Sequence, residues 1–484
     1  MTGRKEVFEP LVSGSVRMYV CGVTVYDECH VGHARSALVF EVIRRYLEAC
    51  AFTVTFVKNF TDIDDKIIAR AHDQGLPWEA IASRYIGAYH RDMGRLGVRP
   101  ASIEPKATEH MREIIDLVDR LVRKEMAYRL DGDIYYDVNK FSNYGALSKR
   151  KLDAMQAGAR VDVNERKRHP MDFVLWKSAK PGEPSWSSPW GAGRPGWHIE
   201  CSAMSMRHLG ETFDIHGGGA DLIFPHHENE IAQSTAATGK ALARYWLHNG
   251  FVQVNQEKMS KSLGNFFTVR EIFEKFGYRD EVTAEVLRYC LLATHYRSPL
   301  EFSDQALQEA KKALDGFYGL FQRLEEPGNA PYSNDANVTP KIARLERTFQ
   351  NAMDDDFNTP SVIASFQRLR GDINKLFETR LAEAARKQAL RAFQNHGNMV
   401  GLFQLSPKDW QFGMAGSIGH AERFEASIQN TSGLRHDEIE QLVTERTDAR
   451  RLKHFARADE IRQYLALHGV TIEDRSDGTT RWKR

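Results

Sequence analysis

The stretch Met18-Tyr-Val-Cys-Gly22, continuing through His30-Val-Gly-His33 to Cys50, decides the fold. Val16 to Cys21 is short and apolar, and Gly22 breaks it. From about His33 to Cys50 the apolar residues Leu38, Val39, Val42, Ile43, Tyr46 and Leu47 recur at helical spacing. Phe52-Thr-Val-Thr-Phe-Val-Lys58 then alternates apolar and polar side chains and is rich in β-branched residues, so it reads as a second strand. Strand, loop, helix, strand predicts a parallel sheet with covering helices and a ligand crevice at the carboxyl ends of the strands. The loop from Gly22 to His33 lies at such an end.

Outward from this core, the chain of 484 residues is long enough for about three folding units. Hydrophobic residues make up 42% and charged residues 27%, which excludes wholesale disorder and a fibrous repeat. Lys+Arg 66 against Asp+Glu 65 leaves a net charge of +1, so the chain is no general basic coat for nucleic acid, although a local basic groove stays open. No run reaches the ~20 apolar residues of a membrane span, and the start, Met-Thr-Gly-Arg-Lys-Glu, does not read as a signal peptide. A cytoplasmic protein is expected. The five cysteines (Cys21, Cys29, Cys50, Cys201, Cys290) are odd in number and scattered, which favours metal or thiol chemistry over disulfides.

Helical patterns run to about Tyr128, with Ile114, Leu117, Val118 and Leu121 as one stripe, and 130–196 reads as an insertion of strands, turns and Pro/Gly-rich loops. The βα style resumes with Phe213-Asp-Ile-His216 and Gly217-Gly-Gly219. After a lysine-rich loop, helices take over: Ile342, Leu345, Phe349 and Met353, then Val362, Phe366, Leu369, Ile373 and Leu376, mark a small bundle. Ser406 to about Arg435 reads as a linker, and a final module of two helices and a strand follows. Cys50 and Cys290 lie in apolar helical patterns and are expected in the core.

His30-Val-Gly-His33 sets two imidazoles at the mouth of a βα turn, where backbone N–H groups and the helix dipole favour phosphate. Lys258-Met-Ser-Lys-Ser262, followed by Leu-Gly-Asn265, offers two ammonium groups and two hydroxyls to a polyphosphate. Together these two motifs resemble the signatures of the class I aminoacyl-tRNA synthetases. His226-His-Glu-Asn-Glu230 puts an imidazole and a carboxylate at i and i+4, a common way to present two metal ligands. If the ends of two neighbouring strands carry Cys21 and Cys201, these four can converge on one tetrahedral zinc; Cys29 is the alternative to Cys21.

Within that class the sequence is similar to the cysteinyl-tRNA synthetase family over nearly its whole length. The matching stretches are Met18 to Gly22, Thr24-Val-Tyr-Asp27, Asn59-Phe-Thr-Asp-Ile-Asp-Asp-Lys66, Gly196 to Met204, Asp214 to Gly219, Phe224 to Gln233 and Lys258 to Asn265. Val23 stands where relatives usually carry proline. The resemblance implies an α/β fold: a Rossmann-like parallel-sheet catalytic domain with an insertion, then a helical bundle and a small C-terminal anticodon-binding module. Its expected parts are 1–129 and 197–250 (catalytic halves), 130–196 (connective insertion), 251–324 (lysine loop and stem contacts), 325–405 (bundle), 406–435 (linker) and 436–484 (anticodon module). It implies Zn²⁺ on Cys21, Cys201, His226 and Glu230, and a cysteine pocket shaped by Thr61, Trp197 and His216. ATP with Mg²⁺ would bind His30, Gly32, His33, Gly217, Gly218, Gly219, Asp221, Lys258, Ser260 and Lys261, of which His30, His33, Lys258 and Lys261 are catalytic. Arg450, Asp459 and Asp474 would read the anticodon of tRNA(Cys), and a monomer is expected.

The implied reaction is activation of L-cysteine by ATP to cysteinyl-adenylate, then transfer to the tRNA 3′ end. Cysteine and serine differ by one atom, and an apolar pocket separates near-isosteres only ~10²-fold, whereas a soft metal–thiolate bond can do better. One competing reading is a cysteine-activating ligase that loads an amino sugar, but such relatives lack the module that begins near Leu434. A non-catalytic RNA-binding paralogue should have lost the phosphate motifs, and both are intact. A zinc hydrolase lacks support because His-Glu-x-x-His is absent.

Overall fold

The computed structural model describes residues 2–152, 166–254, 257–258, 267–326, 338–377, 381–413, 436–451, 454–467, 470–474 and 480–483. It divides into two compact units. The first covers 1–266, 294–300 and 355–358, and the second the remainder.

The first unit is built on a parallel sheet of β1 (Ser15–Thr24), β2 (Thr53–Thr61), β7 (Phe213–Gly219) and β8 (Ala243–Asn249), in the order β2-β1-β7-β8. Helix α1 (Val31–Ala49) makes the crossover from β1 to β2. Strand alternation assigns the faces. Val16, Met18 and Val20 of β1 pack with Val39, Phe40, Ile43 and Leu47 of α1. Tyr19 and Cys21 point the other way, into a core shared with α4 (Met111–Arg123) and α5 (Trp197–Leu209). Burial on both faces explains why β1 reads as an apolar run rather than an alternation. Helices α2 (Asp65–Gln74) and α3 (Trp78–Arg95) follow β2.

The expectation that Gly22 ends the first strand is corrected, because β1 continues to Thr24 with a register shift between Val20 and Val23. Gly22 is needed for close approach: a Cβ there would fall 1.5 Å from the carbonyl oxygen of Asn59. The insertion is a four-stranded antiparallel sheet of β3 (Ala127–Leu130), β4 (Asp133–Tyr136), β5 (Phe173–Ser178) and β6 (Gly193–Pro195), and β6 feeds α5 directly through Gly196. Past β7 the chain makes two irregular helical turns, Ala220–Leu222 and Ile223–His227, before α6 (Glu228–Thr238). After β8 come β9 (Val252–Val254) and β10 (Glu257–Lys258), an antiparallel pair. Arg35 of α1 is fully buried and its two terminal nitrogens donate to the carbonyls of Gly250 (3.0 Å), Phe251 (2.8 Å), His295 (3.2 Å) and Ser298 (2.6 Å), which stabilises the buried guanidinium and fixes the chain beyond β8 against α1. Cys50 caps the end of α1 and is exposed, a correction to the core placement that its helical pattern suggested; Cys290 is buried.

The second unit is helical: α7 (Val269–Phe276), α8 (Asp280–Leu292), α9 (Asp304–Glu325), α10 (Thr339–Asp354), α11 (Thr359–Phe377) and α12 (Glu383–Val400). The stripes read from the sequence are buried apart from the half-buried Leu376, and Phe317, Phe321, Phe366 and Phe393 gather around Phe403, with ring centroids 4.9 to 6.0 Å from it. Ser406 to Gly413 is packed rather than loose: Trp410 stacks on Tyr318 at 4.1 Å and its indole N–H donates to Asp315 at 2.7 Å. The rest of the expected linker, 414–435, lies outside the described residues. Last come α13 (His436–Arg451), α14 (Phe455–Leu467) and an antiparallel pair, Thr471–Asp474 with Thr480–Lys483, around Ile439, Val443, Ile461, Leu465, Val470 and Ile472.

Candidate active site

The two histidines of the first motif are an N-terminal cap. His30 Nδ1 accepts the Gly32 N–H (3.0 Å), His33 Nδ1 accepts the His30 N–H (3.4 Å), and the rings stack at 3.7 Å. Gly32 is required by that stack, since a Cβ would sit 2.8 Å from the His30 ring. With both Nδ1 atoms accepting, the proton of each neutral ring sits on Nε2, a donor at the positive end of α1. Burial, aided by His30 and Lys58, holds the pKa of His33 well below the usual imidazole range, so it stays neutral.

Cys21 from β1, Cys201 from α5, His226 from the turn before α6 and Glu230 from α6 are all buried, with donor atoms mutually within 4.8 Å. Cys201 lies in the middle of a helix, which corrects the expectation that two strand ends carry the cysteines. Cys21 Sγ is 3.4 Å from His226 Nε2 and 3.3 Å from Glu230 Oε1, and His226 Nε2 is 2.9 Å from that oxygen. Zinc bonds of ~2.0–2.3 Å at tetrahedral angles place ligand atoms about 3.3–3.8 Å apart, so the set fits zinc with small adjustment. The surroundings also fit a metal: His226 Nδ1 faces His198 Nδ1 at 2.9 Å, and the second carboxylate oxygen of Glu230 pairs with His216 Nε2 at 2.8 Å, contacts of the kind that orient ligands. Burial opposes charge on His226, yet Glu230 and Cys201 raise its pKa to about 10. Cys29, the alternative ligand, is buried elsewhere, with its thiol pushed up to about 12 by burial and then Asp92.

Around the four lie the residues expected to shape a pocket. Trp197 opens α5 with its ring 4.4 Å from that of His226, His216 is fully buried, and Thr61 ends β2. Gly217, Gly218 and Gly219 lie on β7 rather than in a loop, and each is closely met: added Cβ atoms would stand 2.3 Å from Phe40, 2.9 Å from Leu222 and 2.4 Å from Asp221 Oδ1. Lys258 pairs through its backbone with Gln253, while Ser260 and Lys261 lie outside the described residues. In the second unit, Arg450 and Asp459 are exposed on α13 and α14, and Asp474 ends a strand opposite Thr480.

Sequence reasoning missed Tyr19, Asn59, His198, His227 and His248. Asn59 Oδ1 accepts the Gly22 N–H at 2.8 Å and stands 3.7 Å from Cys201 Sγ; His227 Nδ1 meets His248 Nε2 at 2.8 Å. His198 was legible as i−3 to Cys201 on one helix, and His227 as the neighbour of His226 in the turn before α6; Tyr19, Asn59 and His248 face the site only through strand register.

A soft-donor centre under a parallel sheet whose first crossover helix is capped by paired histidines defines a class I aminoacyl-tRNA synthetase. Residues 7–312 match the family model for the tRNA synthetases class I (C) catalytic domain, 348–404 the DALR domain, and 435–482 the cysteinyl-tRNA ligase anticodon binding domain. A cysteine–tRNA ligase of Geobacter metallireducens is 50% identical across 100% of this chain and 98% of its own length, and one of Syntrophotalea carbinolica is 51% identical over the same shares. The solved methionyl-tRNA synthetase of Mycobacterium tuberculosis in complex with methionyl-adenylate shares the fold, with a TM-score of 0.58 at 15% identity, over 81% of this chain and 94% of that one. The chain belongs to the cysteine–tRNA ligase family and is an aminoacyl-tRNA ligase. Among the described residues no helix is long and apolar enough to cross a membrane.

Proposed function

We propose that this ligase activates L-cysteine with Mg²⁺–ATP to cysteinyl-adenylate and pyrophosphate, transfers cysteine to the 3′ end of tRNA(Cys), and rejects serine through zinc held by Cys21, Cys201, His226 and Glu230. The convergence of these four donors beside the stacked histidines carries the reading. Zinc, when bound, supplies a soft Lewis acid that prefers the substrate thiolate to a hydroxyl. The substrate carboxylate is itself the nucleophile toward the α-phosphate, so the chain needs none; its work is positioning and charge stabilisation. His30 and His33 donate from Nε2 to the phosphates, and Lys258 and Lys261, with Ser260, hold the departing pyrophosphate, each donor contributing ~10²- to 10³-fold to the rate. Thr61, Trp197 and His216 wall the cysteine pocket, and Gly32, the glycines of β7 and Asp221 border the nucleotide. Arg450, Asp459 and Asp474 of the 436–484 module read unstacked anticodon bases. The enzyme acts as a monomer in the cytoplasm.

The test is ATP–pyrophosphate exchange with cysteine and with serine, before and after metal removal, alongside the metal content of Cys201→Ser. Exchange is expected with cysteine alone, to vanish with the metal, and the variant is expected to lose most of its zinc. Equal exchange with serine, or indifference to metal removal, rejects the selection mechanism; a Cys201→Ser protein with full zinc and activity rejects that ligand.

A further inference from the structure

Tyr19 stands two residues before Cys21 on β1 and on the same face, in the core that also holds Cys201. It is wholly buried, edge-on to His216 at 5.4 Å, and its hydroxyl, beside the Cys201 thiol, makes no hydrogen bond of good geometry in the structure. A buried polar group without a well-formed hydrogen bond is uncommon and points to a ligand state in which it is satisfied. The neighbouring Asn59 cannot serve a sulfur anion: its Oδ1 is committed to Gly22 N–H and lies 3.7 Å from Cys201 Sγ, while its amide nitrogen faces Thr61 Oγ1 at 3.5 Å. That oxygen suits a thiol proton and repels a thiolate. When a metal binds, each cysteine thiol releases its proton to solvent, and the Cys201 sulfur then needs a donor. We infer that Tyr19 is a positioning residue of the metal centre, its hydroxyl donating a hydrogen bond to the Cys201 thiolate and thereby tempering the electron density this sulfur gives the metal, a role that presupposes the metal centre proposed above. The consequence for chemistry is a more electrophilic metal toward the incoming thiol, because a hydrogen-bonded thiolate donates less.

The test uses full-length wild type and Tyr19→Phe, stripped of metal and titrated with Co²⁺. Loss of the hydrogen bond is expected to shift the thiolate-to-cobalt charge-transfer band to longer wavelength, and to weaken Zn²⁺ binding, in competition with a chelator, about tenfold. The metal-free variant is expected to melt no lower than wild type, since it loses only a hydroxyl without a well-formed hydrogen bond, while its stabilisation by added Zn²⁺ shrinks. Superimposable cobalt bands with equal Zn²⁺ affinity overturn the role, and a lower metal-free melting temperature with an unshifted band assigns Tyr19 to packing alone. Wild type without any cobalt–thiolate band would instead refute the metal centre itself, which separates the two failures.

Discussion

At position 32 even one methyl group would displace the paired histidines. A Cβ on Gly32 lies 2.8 Å from the Nδ1 and Cε1 of His30, so the imidazole must leave its stack on His33 and give up the Gly32 N–H. Gly32 has no left-handed backbone to preserve, so Gly32→Ala should fold and keep its zinc. Its exchange rate with cysteine and ATP is expected to fall about 10²-fold, the scale of one misplaced donor. Normal exchange with a full complement of zinc would show that the stack is only a helix cap. Gly22 is the harsher case, because the obstruction is the backbone carbonyl of Asn59 and cannot swing aside. Gly22→Ala should therefore lower the thermal midpoint steeply, with a loss of about 3 kcal/mol or more, as expected for overpacking at its upper end. A melt within a degree or two of wild type would mean that β1 and β2 can part without cost.

Among the elements, α8 carries a charge that the packing does not welcome. Glu285 is buried and accepts the Tyr318 hydroxyl (3.0 and 2.9 Å) and the N–H groups of Phe403 (2.8 Å) and Gln404 (3.2 Å). Burial still outweighs these bonds and the nearby Arg288, and pushes the carboxyl pKa from 4.5 up to about 7. The folded state thus binds this proton more tightly than the unfolded chain. The associated stability, about 3 kcal/mol, is complete below about pH 4.5 and lost as pH rises to about 7. Glu285→Gln keeps an acceptor and removes the titration, so the fall in thermal midpoint between pH 5 and pH 8 should be smaller than in wild type; an equal fall would reject Glu285 as its source. No local pattern announces this residue, since its partners come from Tyr318 and from 403–404. The sheet strands and helical stripes were legible because each is a short-range period that burial enforces, as with Val362, Phe366 and Leu369. The four candidate metal donors were different: Cys21 and Cys201 come together only through the placing of α5 under β1, so their partnership was readable from family resemblance and not from spacing. The last strand, Thr480–Lys483, escaped notice because it is short and half-buried, with one apolar side chain, Trp482, packed against the module's core.

In the molecule as a whole, the candidate activation site and the anticodon-binding module fall in separate compact units. The stacked histidines and the soft-donor centre belong to the first, and the module carrying Arg450 and Asp459 to the second. Amino-acid activation and tRNA recognition should therefore be separable by mutation. Arg450→Ala and Asp459→Asn change exposed groups on α13 and α14, away from the small core of Ile439, Val443, Ile461 and Leu465, so the module should fold in both. A guanidinium or carboxylate reading a base edge contributes about 1–3 kcal/mol of discrimination, which converts to roughly 5- to 150-fold. Each variant is expected to lose that much in kcat/KM for tRNA(Cys) in aminoacylation, while ATP–pyrophosphate exchange with cysteine stays at the wild-type rate. A tRNA with an altered anticodon should then be penalised less by the variant than by wild type, because the contact that noticed the change is gone. If exchange falls in step with aminoacylation, the substitution has disturbed the fold; if aminoacylation is unchanged, these side chains are ordinary surface charges and the bases are read elsewhere in the module.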